Sequence, residues 1–369
     1  MRRLSSMFLL TLLLLTSSCH VARYVWWNFA DIRDSEKFPV LPIAKSSLSK
    51  SLVHSDSNIN ILLPIQYVKI NKSPLLDAFL QEHETVAFLV MRNDSLVYER
   101  YFGGFSRESV LPSFSIAKSF VSAMIGIAIS EGKIKSVDEP VTDFIPELTD
   151  PGFRKVTLKN LLEMRSGIRF NEGYASPFGA MGKFYYGLNL RRYTFGLKTQ
   201  LPPGESYNYQ SANTQLLAIV LERATGRKLP DYMGEKIWRP MGSEYDASWS
   251  VDSRRNEEPK AFCCINGRAV DFARFGQLYL HHGVSGGDTV IPPAWVNESL
   301  KISNNSHDSQ NYPYTYHWRS TPSGDFFAKG ILGQYIFISP AKKIVIVRFG
   351  KKSADVAWVK LFTEIIKKL

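Results

Sequence analysis

Between Thr85 and Tyr101 the chain alternates apolar and polar positions in two runs, "TVAFLVMR" and "SLVYERY", separated by Asn93 and Asp94. Such alternation on either side of a turn-forming pair predicts a β-hairpin, ended by Gly103 and Gly104. From Ser115 to about Gly242 the period lengthens: Ile116, Phe120, Met124 and Ala128 recur every four residues, and "SANTQLLAIVLERATG" reads as a helix stopped at Gly226. Strands return near the end. "GQYIFISPAKKIVIVRFG" predicts two strands across a Pro340 turn, and "ADVAWVKLFTEIIKKL" a terminal amphipathic helix. The pattern predicts an α+β fold, with an antiparallel sheet built from both chain ends, flanking helices, and a mainly helical region at about 116–260 inserted between its strands. Residues 20–75 are serine-rich, interrupted by prolines and without a sustained period, and predict a tether that wraps a body spanning 76–369.

A chain of 369 residues can bury a large core, and 44% hydrophobic with 21% charged residues is ordinary for a globular protein. The start changes the picture. Arg2 and Arg3 precede an apolar stretch from Met7 to Leu15 and then small residues, the pattern of a secretory signal over residues 1–19. That apolar stretch is far short of the ~20 residues of a spanning helix. "LTSSC" resembles the lipobox of bacterial lipoproteins, with Thr16 where leucine is more usual, so lipidation of Cys19 is expected, with simple secretion as the alternative. Either way the protein is expected to be exported to the periplasm or cell envelope, and a lipid on Cys19 would associate it with the membrane. The net charge of +11 comes from scattered Lys and Arg with no basic block interleaved with aromatics, so nucleic acid is not an expected partner. Anionic lipid or cell-wall polymer suits an exported basic surface better. Apart from Cys19 the cysteines are Cys263 and Cys264; neighbours in sequence seldom bridge each other, and they read as small core residues.

Ser115 and Lys118 form a Ser-x-x-Lys pair, a spacing that Ser47 with Lys50, Ser130 with Lys133 and Ser339 with Lys342 also satisfy. What separates Ser115 is its place at the first turn of a helix, where free N–H groups and the helix dipole favour a developing negative charge. Lys118, one turn later on the same face, can take the serine proton because the helix start and apolar neighbours disfavour an ammonium ion there. A helix cap is the bland alternative. In "PPGESYNYQSANTQLL", Tyr209 and Ser211 follow a Pro203–Gly204 bend and precede a helix, so both can project into a cleft. A tyrosine beside a lysine can shuttle protons; packing on the core is its alternative.

The order of "SFSIAKSF", "VTLKNLLEMRSGI", "PPGESYNYQSANTQLLAIVLERATG" and "AKGILGQYIFISP" resembles the serine hydrolases of the beta-lactamase and penicillin-binding-protein superfamily. The likeness is nearest to class C beta-lactamase-like esterases and 6-aminohexanoate-dimer hydrolases, and it spans roughly residues 85–369. It implies a beta-lactamase/transpeptidase-like fold and a metal-independent acyl-enzyme mechanism without cofactor. Ser115 would be the nucleophile, Lys118 its proton acceptor, Tyr209 the proton shuttle and Ser211 the hydrogen-bonding third place of the tyrosine motif. The third motif, Lys-Thr-Gly or His-x-Gly on a strand, is expected at Ile331, Leu332 and Gly333, with the Gln334 and Ser115 N–H groups forming the oxyanion hole. No cation stands at Ile331, and Lys329 is a side candidate. Tyr174, in "FNEGYASP", resembles a substrate-contacting tyrosine of the aminohexanoate-oligomer hydrolases. The aromatic run "FGAMGKFYYGLNLRRYTFG" is expected to pack rather than to form a subsite.

These readings point to a small ester, amide or peptide-like substrate. A D-alanyl-D-alanine carboxypeptidase or a beta-lactamase is the enzymatic alternative, disfavoured by the missing strand cation, and a penicillin-binding sensor without turnover is the alternative of another class. His281 and His282 are adjacent, no His-Glu-x-x-His occurs and the remaining histidines are isolated, so no metal site is expected.

Overall fold

The computed structural model describes residues 19–49, 51–55, 61–63, 67, 75–302 and 306–369, so the expected leader lies outside the described residues, save for the backbone of Cys19. The central sheet is antiparallel and seven-stranded. In spatial order its strands are β3 (Ser95–Tyr101), β2 (Thr85–Arg92), β13 (Ile344–Gly350), β12 (Gln334–Ser339), β11 (Phe326–Gly330), β10 (Trp318–Ser320) and β9 (Tyr314–Thr315). β2 pairs with β13 from Ile344↔Arg92 to Gly350↔Thr85, which joins the two ends of the chain as the hydrophobic pattern predicts. The β2–β3 turn has Asn93 and Asp94 at φ 48° and 65°, the left-handed pair that a two-residue hairpin loop requires.

Both faces of this sheet are covered, which is why β2 is almost continuously apolar rather than strictly alternating. Phe88, Val90, Phe337 and Ile346 pack against Trp358, Leu361, Phe362 and Ile365 of the terminal helix. Leu89, Ile336, Val345 and Val347 face the helical region instead, in one cluster with Phe120, Met124, Phe272 and Phe275. The long helices there are Ala117–Ser130 and Ser211–Thr225, the latter closed by Gly226 at φ 67°, and Ala269–Leu280 lies directly on the sheet.

A smaller sheet runs β1 (Val40–Ile43), β5 (Ala247–Ser250), β6 (Ile265–Gly267), β4 (Leu111–Pro112), and β7 (Val284–Ser285) with β8 (Asp288–Thr289) forms a separate hairpin. β1 comes from the stretch expected to be a tether. Its described part is structured: α1 (Cys19–Trp27) packs on the helical region and β1 pairs with β5 from Val40↔Ser250 to Ile43↔Ala247. Its polar, proline-broken sequence hid this, because an edge strand held by backbone hydrogen bonds needs no apolar period.

The cysteines also depart from expectation. Cys263 and Cys264 are buried, as anticipated, yet they are bonded to each other. Cys264 lies in the left-handed region, at φ 76°.

Candidate active site

Strand β4 delivers the chain to Ser113, whose N–H donates to Ile265 O (2.8 Å) and whose Oγ accepts from Ile265 N (3.1 Å). Phe114 follows at φ 44°, an unfavourable conformation for a bulky residue, held here by a fully buried ring. A 3₁₀ turn, Phe114–Ile116, then leads into the helix Ala117–Ser130, so Ser115 stands half-buried immediately before the first α-helical turn.

Lys118 is 1% exposed and its Nζ lies 3.1 Å from Ser115 Oγ, 3.4 Å from Ser211 Oγ and 2.7 Å from Phe262 O. Contacts to three different oxygens fix the direction of the nitrogen, so it is aimed by its surroundings rather than left to rotate. The Tyr209 ring centroid is 5.0 Å from the same nitrogen, and the Arg319 guanidinium sits 5.5 Å from that ring. Tyr209 is fixed by its neighbours: Asn208 N–H donates to Met164 O (2.8 Å), and Gln210 Nε2 to the carbonyls of Ile168 (2.9 Å) and Phe170 (3.0 Å). Ser115, Lys118, Tyr209 and Ser211, separated by up to 96 positions in sequence, are thus brought together at one place.

Glu172 is the residue sequence reasoning missed. Its carboxylate accepts from Ser211 Oγ (2.6 Å) and Ser211 N (2.7 Å), closing a hydrogen-bond chain from Lys118 Nζ through the Ser211 hydroxyl to the acid. It also occupies the N-terminus of the Ser211–Thr225 helix, where Gln210 supplies no side-chain cap. Burial pushes its carboxyl upward, against the pull of Lys118 and of hydrogen bonds from Ser211 and Tyr174. Tyr174 therefore reaches the site as a donor to Glu172, and burial together with that carboxylate holds its phenol well above the usual range. The signal was present in "FNEGYASP", two residues before the tyrosine.

The strand motif is corrected in register. Gly333, at φ 79°, turns its carbonyl to Arg348 Nη1 (2.6 Å), and a Cβ there would meet the same guanidinium at 2.2 Å. Gln334 is fully buried, its amide clamped to Gly350 N (2.8 Å) and O (3.0 Å). Both tie the start of β12 to the end of β13. The glycine lying against the nucleophile is Gly330, where an added Cβ would stand 2.8 Å from Ser113 O and 3.2 Å from Ser115 N. The motif positions are therefore Ala328, Lys329 and Gly330, three residues earlier than expected. The first position still lacks a cation, and Lys329 donates to Gln310 Oε1 (2.7 Å).

Behind the site His317 sits in a turn at φ 68°, its imidazole between Thr214 Oγ1 (3.1 Å) and Tyr314 Oη (3.2 Å). Burial, then the charges of Lys118 and Arg319, push its basicity well down, so it serves as a neutral spacer. Within the aromatic run Phe184, Tyr185 and Tyr186 are buried, Phe184 meeting Phe170 and Phe262 at ring distances of 4.8 and 5.9 Å, whereas Phe178 is exposed. Among the described residues no group of three or more His, Cys, Asp or Glu side chains is arranged to hold a metal ion. A groove of about 820 Å³ lies at the other end of the Ser211–Thr225 helix, where Arg191 is tied to Glu222 and Glu258 and Lys228 to Glu257.

Residues 75–357 match the family profile described as Beta-lactamase. A 6-aminohexanoate-dimer hydrolase of Paenarthrobacter ureafaciens is 30% identical over 300 residues, 74% of either chain. A D-aminopeptidase of Cereibacter sphaeroides is 30% identical over 134 residues, which is 36% of this chain and 25% of that protein. Among solved structures, a Bacillus anthracis protein provisionally named a 6-aminohexanoate-dimer hydrolase superposes with a TM-score of 0.81 at 23% identity, covering 94% of this chain and 93% of its own. A class C beta-lactamase gives 0.63 at 16% identity, covering 80% and 94%.

Proposed function

Because the chain belongs to the beta-lactamase family of hydrolases, we propose that it is a serine hydrolase that opens short linear amides or esters through an acyl-enzyme on Ser115. The observation that carries this reading is the 3.1 Å contact between Ser115 Oγ and Lys118 Nζ, with Tyr209 and Ser211 converging on the same nitrogen. Lys118 accepts the serine proton as Oγ attacks the carbonyl carbon. Tyr209 carries a proton to the leaving nitrogen or oxygen, and water then releases the acid. Ser211 and Glu172 position Lys118.

The oxyanion develops between the N–H groups of Ser115 and Ile331, the residue that follows Gly330; this replaces the Gln334 N–H assigned from sequence. The choice of linear substrates over beta-lactams rests on two features. The 6-aminohexanoate-dimer hydrolase is similar over most of both chains, and Ala328 leaves the strand without the cation that commonly meets a beta-lactam carboxylate.

The test is turnover of p-nitrophenyl butyrate, the linear 6-aminohexanoate dimer and nitrocefin, with labelling by a fluorescent penicillin. Hydrolysis of the first two, abolished in Ser115→Ala and reduced ~10²-fold or more in folded Lys118→Ala, is expected from general-base magnitudes. Nitrocefin turnover alone would make the protein a beta-lactamase, and stable penicillin labelling without turnover would make it a sensor.

A further inference from the structure

Helix α1 has two unlike sides. Inward, Tyr24 Oη donates to Tyr174 O (2.7 Å), Arg23 Nη1 donates to Asp252 O (2.9 Å), and Trp27 packs edge-on against Phe38 at 5.1 Å. Outward, Ala22, Val25 and Trp26 share one side of the helix, with Val25 and Trp26 exposed by 72% and 84%; Phe29, just past the helix end and beyond Asn28 at φ 54°, is exposed by 58%. The start of the helix also touches a loop, the His20 ring hydrogen-bonding the Pro177 carbonyl, and the next residue of that loop, Phe178, is 65% exposed. Lys183, close enough to His20 to act on its charge, is exposed at the edge of this patch.

A cluster of exposed Trp, Phe and Val is costly in water, each such side chain gaining roughly 1.5–3 kcal/mol on burial, so a partner is called for. What precedes the helix names it. The residues before Cys19 hold two arginines and the apolar stretch Met7–Leu15, the composition of an export signal, so α1 begins where the chain is directed to a membrane. No described helix is long and apolar enough to cross a membrane, and α1 has only nine residues. A short helix with aromatic residues outward and a cation at its edge has the chemistry of an interfacial helix, in which tryptophan lies at headgroup level.

We propose that the outward face of α1, with Phe178, is a membrane-contact surface that lies in the interface of an anionic bilayer. The contact is set by Val25, Trp26 and Phe29 and is separate from any lipid on Cys19, which would act as a tether. On its inward side the same helix holds the loop that carries Glu172 and Tyr174, through the Tyr24–Tyr174 hydrogen bond. The inference stands apart from the hydrolase reading and needs no turnover to be tested.

The experiment uses the full chain with vesicles of phosphatidylglycerol and phosphatidylethanolamine carrying brominated acyl chains. Trp26 emission is isolated as the difference between the wild type and Trp26→Phe. On vesicles that sediment with the protein, the Trp26 signal should shift to the blue and be quenched by bromine. A Trp26 signal unchanged on protein-loaded vesicles would overturn the proposal, since the chain would then be tethered with α1 in water. In the Cys19→Ala chain, Val25→Ser/Phe29→Ser should lower vesicle binding at least tenfold; equal binding would count against the face. A blue shift that grows with protein concentration in the absence of lipid, and disappears on dilution, would assign the face to a second copy and also overturn the proposal.

Discussion

Lys260 shows what a single buried group can cost. It is completely buried, its Nζ has no hydrogen-bond partner among the described residues, and the nitrogen lies 2.8 Å from the centroid of the Phe38 ring and 5.1 Å from that of Tyr185. Burial, reinforced by Arg23, holds its basicity well below the ordinary lysine range. The folded chain thus binds fewer protons here than the unfolded one, so stability rises with pH up to the unfolded lysine value of about 10.4. Lys260→Met should raise the melting temperature at pH 7 by removing an unpaired donor worth roughly 1–3 kcal/mol, and the gain should shrink toward pH 10. A melting curve lowered by the substitution would show that the cation–π contact outweighs desolvation. The same scale marks where sequence reading stops. Ser115, Lys118, Tyr209 and Ser211 were legible because each sits in a local pattern. Glu172 was not, because its importance comes from Ser211, 39 positions away.

Among the elements, the approach of β11 to the nucleophile turn tests the site most directly. A Cβ at Gly330 would press on Ser113 O, Phe114 Cβ and Ser115 N, so Gly330→Ala must move the strand end away from the serine. Misplacement of about 1 Å in a reacting constellation costs on the order of 10²-fold in rate, whereas a strand-end shift should alter the melting temperature little. Acylation kinetics beside a thermal melt separate the two, and retained activity would remove Gly330 from the oxyanion wall. The hairpin 85–101, the helix ending at Gly226 and the terminal helix were all readable because period and punctuation agree there. The strand motif was read three residues late because "GILGQ" offers two glycines, and only packing tells which one faces Ser115. The vicinal disulfide was unreadable for a similar reason: adjacency argues against it, and Cys264 overcomes this with a left-handed backbone.

For the whole molecule, two buried carboxyls give stability a pH dependence. Glu258 and Asp271 are both pushed up to about 7, burial first, although Glu258 meets Arg191 at 2.6 Å and Asp271 accepts the Glu244 N–H at 2.6 Å. A raised carboxyl favours the fold while protonated, so its contribution is complete below about pH 4 and is lost as pH climbs through 7. Glu258→Gln should flatten the decline of melting temperature between pH 5 and 7; an unchanged slope would show that Arg191 keeps the acid ionised. The general architecture was legible from the two chain ends, but the role of the first described residues was not. Asp34 accepts a hydrogen bond from the buried Tyr185 hydroxyl, β1 adds an edge to β5, and Leu52 N–H donates to Glu244 (2.8 Å). A chain begun at residue 75, where the family match starts, would lose these contacts and uncover Lys260 and Tyr185. Supplied separately as a peptide, residues 19–55 should therefore restore such a shortened chain by fragment complementation.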